Sequence, residues 1–314
     1  MLVITADIPD MKFDGDVIKC KPKELSKHIG DATYILCTVT TNLQDLTAAK
    51  NLKLISTISA GVDHINTKYC KAKNIKIGHT PNILSDAVAD VCIGLILMTM
   101  RKLAFAAEQV TKQDKNLKEF SLINDLVGTD IKNKVIGIVG LGGIGFEIAK
   151  RLSAFGVNKI LYYGPHGPKP VHDFVINNHI VSLVYVPLEE LLKQSDLVIL
   201  SCALNSATTN MANEAFFKKM KNTAFFYNIA RGKLVDTDAL VKALENKEIA
   251  GAGLDVVEPE PIAHNHKLLK MKNVVVLPHI GSAAAETRGK MMQLALENLR
   301  NFKEDGTLIC EYSD

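Results

Sequence analysis

Gly140-Leu141-Gly142-Gly143-Ile144-Gly145 directly follows the apolar run KVIGIV and precedes an amphipathic stretch, FEIAKRLSAFG. Glycines at this spacing between a strand and a helix suit a dinucleotide. The first makes a tight turn, the second lets the backbone approach a pyrophosphate, and the third lets helix and strand pack closely. The helix N-terminus then offers its N–H groups to the anion. The second strand ends Tyr162-Tyr163-Gly164-Pro165-His166-Gly167-Pro168-Lys169. An NAD-type site carries an Asp or Glu at that strand end for the ribose 2′-hydroxyl. No carboxylate stands in this stretch, and His166 and Lys169 would attract a 2′-phosphate. The residues favour NADP(H) and leave NAD(H) open.

A second candidate is His279, in VVVLPHIGSAAAET over 274–287. A β-branched run reads as a buried strand and meets a proline, then the histidine. An unpaired polar group at such a place is costly. His279 is therefore either a core histidine with a partner or a proton-exchanging group at the mouth of a site.

Elements must hold these residues in place, and the pattern supplies them twice. Strand candidates LVITA (2–6), ATYILC (32–37), KLISTIS (53–59) and IKIGH (75–79) alternate with helix candidates at 22–29, 42–50 and 64–73. A long helix is expected from about Asp86 to Gln113. The second series has strands at 134–140, 159–164, 196–203, 223–229, 249–255 and 273–278, with clear helices at 188–194 and 236–248 and a last one near 282–303. Such alternation predicts an α/β protein with parallel sheets covered by helices. Two Rossmann-like domains are expected. The pattern suggests that a dinucleotide-binding domain over 98–282 is inserted into a discontinuous, flavodoxin-like domain over 1–97 and 283–314, the one to which the resemblance described below assigns substrate binding.

Composition narrows the function classes. The 314 residues carry a net charge of +3 spread along the chain, which points away from nucleic acid and anionic membranes. The longest apolar run, VCIGLILMTM (91–100), is about half of what a membrane span needs and reads as a buried helix. LVITAD reads as a first strand with no cationic region before it, unlike a signal peptide. Six cysteines without metal-ligand spacing read as free thiols of a reducing, cytoplasmic compartment, and no metal is expected.

STISAGVDHIN (56–66), GIVGLGGIG (137–145), FYNIARGKLVDTDAL (226–240), AGLDVVEPEP (252–261) and LPHIGSA (277–283) occur in one order along the chain. With them it resembles the D-isomer-specific 2-hydroxyacid dehydrogenase family over nearly its whole length. STISAGVDH, HTPNILSDAVAD and DVVEPEP look most like the glyoxylate/hydroxypyruvate reductase branch. The resemblance implies reduction of small 2-oxo acids, hydroxypyruvate to D-glycerate and glyoxylate to glycolate, by a homodimer. It carries a catalytic trio onto Arg231, Glu260 and His279, with Glu258 as the competing glutamate. In this reading Arg231 grips the 2-oxo acid, as a planar guanidinium can. His279 is the general acid, and the carboxylate beside it stabilises the imidazolium.

The resemblance further places the substrate carboxylate on the backbone of Ala60 and Gly61. It sets Asp255 at the nicotinamide carboxamide and Leu204, Ile229, Tyr163, Gly164, His279 and Gly281 around the cofactor, beside Gly140, Gly142, Gly143, Ile144 and Gly145. Ser282 either binds substrate or caps the last helix, and Arg288 is a candidate for a distal hydroxyl. Three departures stand out. Gly143 replaces the arginine of the family's GLGRIG, and Pro165 stands where the branch carries arginine. The chain also has no tryptophan, so Phe120 or Leu122 would fill the space that tryptophans occupy in the 116–131 segment. Alternatives are a D-lactate or phosphoglycerate type of dehydrogenase, and a dinucleotide-sensing co-repressor of the C-terminal binding protein kind.

Overall fold

The computed structural model describes residues 1–6, 15–111, 126–170, 173–176 and 179–313. Phe120 and Leu122 lie outside the described residues, as does the end of the long helix expected to reach Gln113. The chain forms two compact units, Met1–Leu84 with Ser282–Asp314, and Ser85–Gly281. These boundaries differ from the 97/98 and 282/283 that the sequence pattern suggests. The helix Ser85–Met100 goes whole with the central unit because its buried face, including Val88, Cys92 and Leu95, packs against that unit's strands and helices.

The terminal unit is built on a parallel sheet of β1 (Leu2–Ile4), β2 (Val17–Lys19), β3 (Tyr34–Cys37), β4 (Leu54–Thr57) and β5 (Lys76–Gly78), in the order β2-β1-β3-β4-β5. This is the flavodoxin-like strand order. Helix α1 (Thr67–Ala72) starts on Asn66, whose side chain accepts from the Tyr69 N–H at 3.0 Å. The C-terminal helix Ala285–Asp305 closes at Gly306, with φ of 80° in the left-handed region. Ile35, Ile55, Leu43, Leu46 and Val3 form the core of this unit.

The central unit holds α2 (Ser85–Met100), α3 (Leu103–Thr111), β6 (Val135–Val139), α4 (Gly143–Ser153), β7 (Lys159–Tyr163), β8 (Phe174–Ile176) and β9 (His179–Tyr185). It continues through α5 (Leu188–Gln194), β10 (Leu197–Leu200), α6 (Glu214–Lys219), β11 (Phe225–Asn228), α7 (Thr237–Glu245), β12 (Gly251–Leu254) and β13 (Val274–Val276). Its eight strands run β13-β12-β11-β10-β6-β7-β9-β8, all parallel except the edge pair β8–β9. Strand order reverses between β6 and β10, the place where open α/β sheets bind ligands. The central strands are continuous apolar runs because helices cover both faces.

Some expectations fail for local reasons. The stretch 42–50 forms turns instead of a helix, because Asn42 and Asp45 accept from the Gln44 and Thr47 N–H groups, each at 3.0 Å. Such side chains compete with the helix for backbone donors. The stretch expected as a helix at 22–29 is the 3₁₀ segment Pro22–Lys27. The long helix is two helices, broken at Lys102, whose φ is 53°. The Thr129 N–H there takes the Met100 carbonyl at 2.7 Å. The strands β2, β8 and β9 and the short α6 have no counterpart among the expected elements. Among the described residues no helix is long and apolar enough to cross a membrane.

Candidate active site

The glycine loop stands at the carboxyl end of β6. Gly140 has φ of 101°, and a Cβ on it would lie 2.6 Å from the Cys202 backbone nitrogen. A Cβ on Gly145 would lie 2.2 Å from the Gly140 carbonyl oxygen, so only glycine lets α4 approach β6 this closely. Gly142, the N-cap of α4, meets nothing within 4 Å and is exposed with Gly143. An eleven-residue helix thus opens its N-terminal N–H groups to an uncovered backbone, which fits the pyrophosphate of a dinucleotide. Ser201 secures the turn by donating to the Gly140 carbonyl at 2.6 Å.

Beyond β7 the chain turns at Gly164–Gly167, where Gly167 has φ of 73°. Tyr163 stacks on Tyr185 with ring centroids 6.4 Å apart. The Lys169 ammonium folds back to donate to the Leu141 carbonyl at 2.5 Å, so a cation lies at the mouth of the glycine loop. His166 is exposed. The nearest following carboxylate among the described residues, Asp173, accepts from the Leu183 N–H at 3.0 Å, which commits it to β9.

Arg231, Asp255 and His279 stand just beyond the ends of β11, β12 and β13, on the same carboxyl edge as the glycine loop. Asp255, directly after β12, is 1% exposed. One of its oxygens accepts from the Ile280 N–H and the other from the Gly281 N–H, both at 2.8 Å. Its carbonyl accepts from the His279 N–H, also at 2.8 Å. This clamp holds His279 at φ of 55°, left-handed for a residue with a Cβ. Gly281 is buried against it, and a Cβ there would be 2.9 Å from the Asp255 carboxylate.

His279 is partly exposed and its Nδ1 lies 2.8 Å from Glu260 Oε1. A carboxylate accepts, so Nδ1 carries the proton and Nε2 is the nitrogen left to exchange one. Glu260 is the partner, whereas Glu258 is exposed and its carbonyl accepts from the Thr237 hydroxyl at 2.8 Å. Arg231 follows β11, and one guanidinium nitrogen donates to the Ala230 carbonyl at 2.8 Å.

Two residues that position Arg231 were missed from sequence. Buried Asn228 accepts from the Ala230 N–H at 3.1 Å and donates to the Arg231 carbonyl at 2.8 Å. A Cβ on Gly232 would sit 2.0 Å from the Val257 carbonyl, so glycine is what lets this turn abut the loop that leads to Glu260. Their signals were a polar residue closing the apolar strand FFYN and a glycine directly after the arginine. Ile229 is buried, and Leu204 packs half-buried on the core. Ile144 is half-buried in the first turn of α4.

In the terminal unit, Ala60 and Gly61 follow β4 and are half-exposed. Ser282 does not cap the last helix, whose N-cap is Ala284. Arg288 lies exposed in that helix.

Three comparisons bear on this arrangement. Residues 93–281 match the family model described as the D-isomer specific 2-hydroxyacid dehydrogenase NAD binding domain. The chain is 41% identical to the glyoxylate reductase/hydroxypyruvate reductase of Homo sapiens over 95% of its own length and 89% of the human protein. It is 43% identical to the glyoxylate reductase of Thermofilum pendens, over 88% of this chain and 80% of that one. Among solved structures, an NADPH-dependent glyoxylate/hydroxypyruvate reductase from Sinorhizobium meliloti, in complex with NADP and malonate, superposes with a TM-score of 0.86. That pair is 27% identical and covers 99% of this chain and 96% of the other.

Proposed function

The chain belongs to the D-isomer-specific 2-hydroxyacid dehydrogenases, and on that premise we propose that it reduces hydroxypyruvate to D-glycerate and glyoxylate to glycolate with NADPH, using His279 as general acid. A nicotinamide dinucleotide, when bound, supplies the hydride that reduces C2 of a 2-oxo acid. The exposed N–H groups at Gly142 and Gly143 would hold its pyrophosphate. The observation that carries the reading is the His279–Glu260 pair at 2.8 Å on the glycine-loop edge of the sheet.

In this reading Glu260 fixes the ring of His279, and Nε2 delivers a proton to the carbonyl oxygen. Arg231, oriented by Asn228 and the Ala230 carbonyl, grips the 2-oxo acid and stabilises the charge that develops on its oxygen. The Ala60 and Gly61 backbone receives the carboxylate. NADPH preference is supported by the strand end at Tyr163–Gly164, which has no carboxylate, and by the Lys169 ammonium beside the loop. A homodimer and a cytoplasmic location extend the proposal. For the first, α3 buries none of its residues and exposes Leu103 and Val110, and for the second all six cysteines are free thiols.

The test is the initial rate of nicotinamide oxidation with hydroxypyruvate and glyoxylate, each with NADPH and NADH. NADPH is expected to be faster with both acids. His279→Gln is expected to lower kcat at least about 100-fold, the usual span for a lost acid–base group. Faster rates with NADH would overturn the cofactor preference, and an unchanged kcat would remove His279 from the mechanism.

A further inference from the structure

The loop at Ala60 and Gly61 owes its shape to hydrogen bonds from its own unit. Three successive carbonyls are tied back. The Ser59 carbonyl accepts from the Thr80 N–H at 2.8 Å, that of Ala60 from the His79 ring at 2.9 Å, and that of Gly61 from the Ser59 hydroxyl at 2.8 Å. In a trans peptide the N–H points opposite to the carbonyl of the same group. Tying back the carbonyls of Ser59, Ala60 and Gly61 therefore turns out the N–H groups of Ala60, Gly61 and Val62. Among the described residues none of these three donates to the chain.

Proton counting sets the direction of the side-chain relay. Ser59 has one hydroxyl proton and spends it on Gly61, so Thr57, 2.8 Å away, donates to Ser59 and accepts from His64 Nε2 at 3.1 Å. His79 faces a carbonyl, which can only accept, so its Nδ1 carries a proton in either charge state of the ring. Its own backbone is pinned by the chain terminus. The His79 N–H donates to the Cys310 carbonyl at 3.1 Å, the His79 carbonyl accepts from buried Asn298 at 3.3 Å, and the Tyr312 ring lies edge-on at 5.7 Å.

We propose that His79 is a positioning residue for substrate. Its Nδ1–H holds the Ala60 carbonyl so that the Gly61 N–H of the same peptide group stays aimed at the carboxylate of a 2-oxo acid, beside the Ala60 N–H set by the Thr80 tie. The inference rests on the reading that this loop receives that carboxylate.

The experiment compares KM and kcat for glyoxylate, and KM for NADPH, in the full chain and four variants. His79→Phe keeps a ring against Tyr312 and removes the donor. It is expected to raise the glyoxylate KM about five- to tenfold, the worth of one hydrogen bond, with kcat and the NADPH KM within about twofold. His79→Asn restores an N–H near the Nδ1 position and should return KM to near the wild-type value. His79→Leu removes the donor and the ring together, should raise KM as His79→Phe does, and decides the matter if that variant does not fold. An unchanged KM in His79→Phe, or no rescue by Asn, overturns the proposal. Gly61→Pro deletes one amide donor and separates the two layers. A raised KM there with His79→Phe unaffected leaves the carboxylate reading standing and removes only His79. An unmoved KM in Gly61→Pro, or a wild-type chain without turnover, sinks both.

Discussion

Two strand-end turns, Gly140–Gly145 in the central unit and Ser59–Gly61 in the terminal one, perform the same task by different physics. Each presents backbone N–H groups after a parallel strand. The first is shaped from within: Gly140 takes a conformation that side chains resist, and Gly145 leaves the gap that lets α4 pack. The second is shaped by polar partners, Thr80 and His79 from outside the turn and the Ser59 hydroxyl from within it, which hold its carbonyls back. A turn made by missing atoms is intolerant of added ones, whereas a turn made by partners is sensitive to losing them.

The largest effect that sharpens this contrast comes from Gly145→Ala. The new Cβ would meet the Gly140 carbonyl at 2.2 Å, and something in the loop must shift. Stability is expected to fall by about 3 kcal/mol, the scale of severe overpacking, with NADPH binding lost. Ala60→Gly, the matched change in the other turn, should cost less than about 1 kcal/mol. Urea unfolding and a fluorescence titration of NADPH measure both. Equal losses in the two variants would erase the distinction.

A smaller effect concerns the thiols beside the two turns. Burial pushes Cys37, whose carbonyl accepts from Ile58 just before the terminal turn, up to about 12. It pushes Cys202, against Gly140, up to about 11. An unfolded thiol ionises from about pH 8.5 while the folded ones keep their protons, so ionisation favours the unfolded chain. Stability from these groups is thus present below that pH and is lost as pH rises toward 11 and 12. The slope is at most about 1.4 kcal/mol per pH unit for each thiol. Urea midpoints at pH 8, 9.5 and 10.5 should fall in that order, less steeply in Cys37→Ala. A flat profile would mean the thiols are not held protonated.

The smallest effect tests which part of Thr80 matters. Its N–H holds the Ser59 carbonyl, yet its buried hydroxyl has no hydrogen-bond partner among the described residues. Thr80→Val keeps the backbone tie and removes that hydroxyl, so stability should rise by about 1 kcal/mol with the glyoxylate KM unchanged. A loss of stability by thermal unfolding would show that the hydroxyl is part of the turn's support.

The same division separates what was legible in the sequence from what was not. The alternation of strands and helices, the glycine loop and the His279 and Arg231 motifs rest on local pattern, and the structure places the last three on one edge of the larger sheet. The motif favoured Glu260 and left Glu258 as its competitor, and the contact that distinguishes them is made with His279, nineteen residues away in the chain. The helix expected at 42–50 failed because Asn42 and Asp45 took the backbone donors for themselves, a competition that apolar spacing does not register. The edge strand β2 is only three residues long and stands by its pairing with β1, while β8 and β9 add an antiparallel pair at the far end of the larger sheet that a strand–helix alternation does not anticipate.

By itself the sequence determined the two α/β units, the dinucleotide loop and the residue types available for chemistry, because glycine sterics and apolar runs act within a few residues. Only the tertiary structure decided how those residues are aimed. Asp255 bends the chain at His279 through bonds to residues 280 and 281, Gly232 brings the arginine turn against Val257, and His79 pulls back the carbonyl of Ala60. Each of these is a contact between segments 18 or more residues apart, and a hydrogen bond of that kind exists only once the sheet has brought its strand ends together.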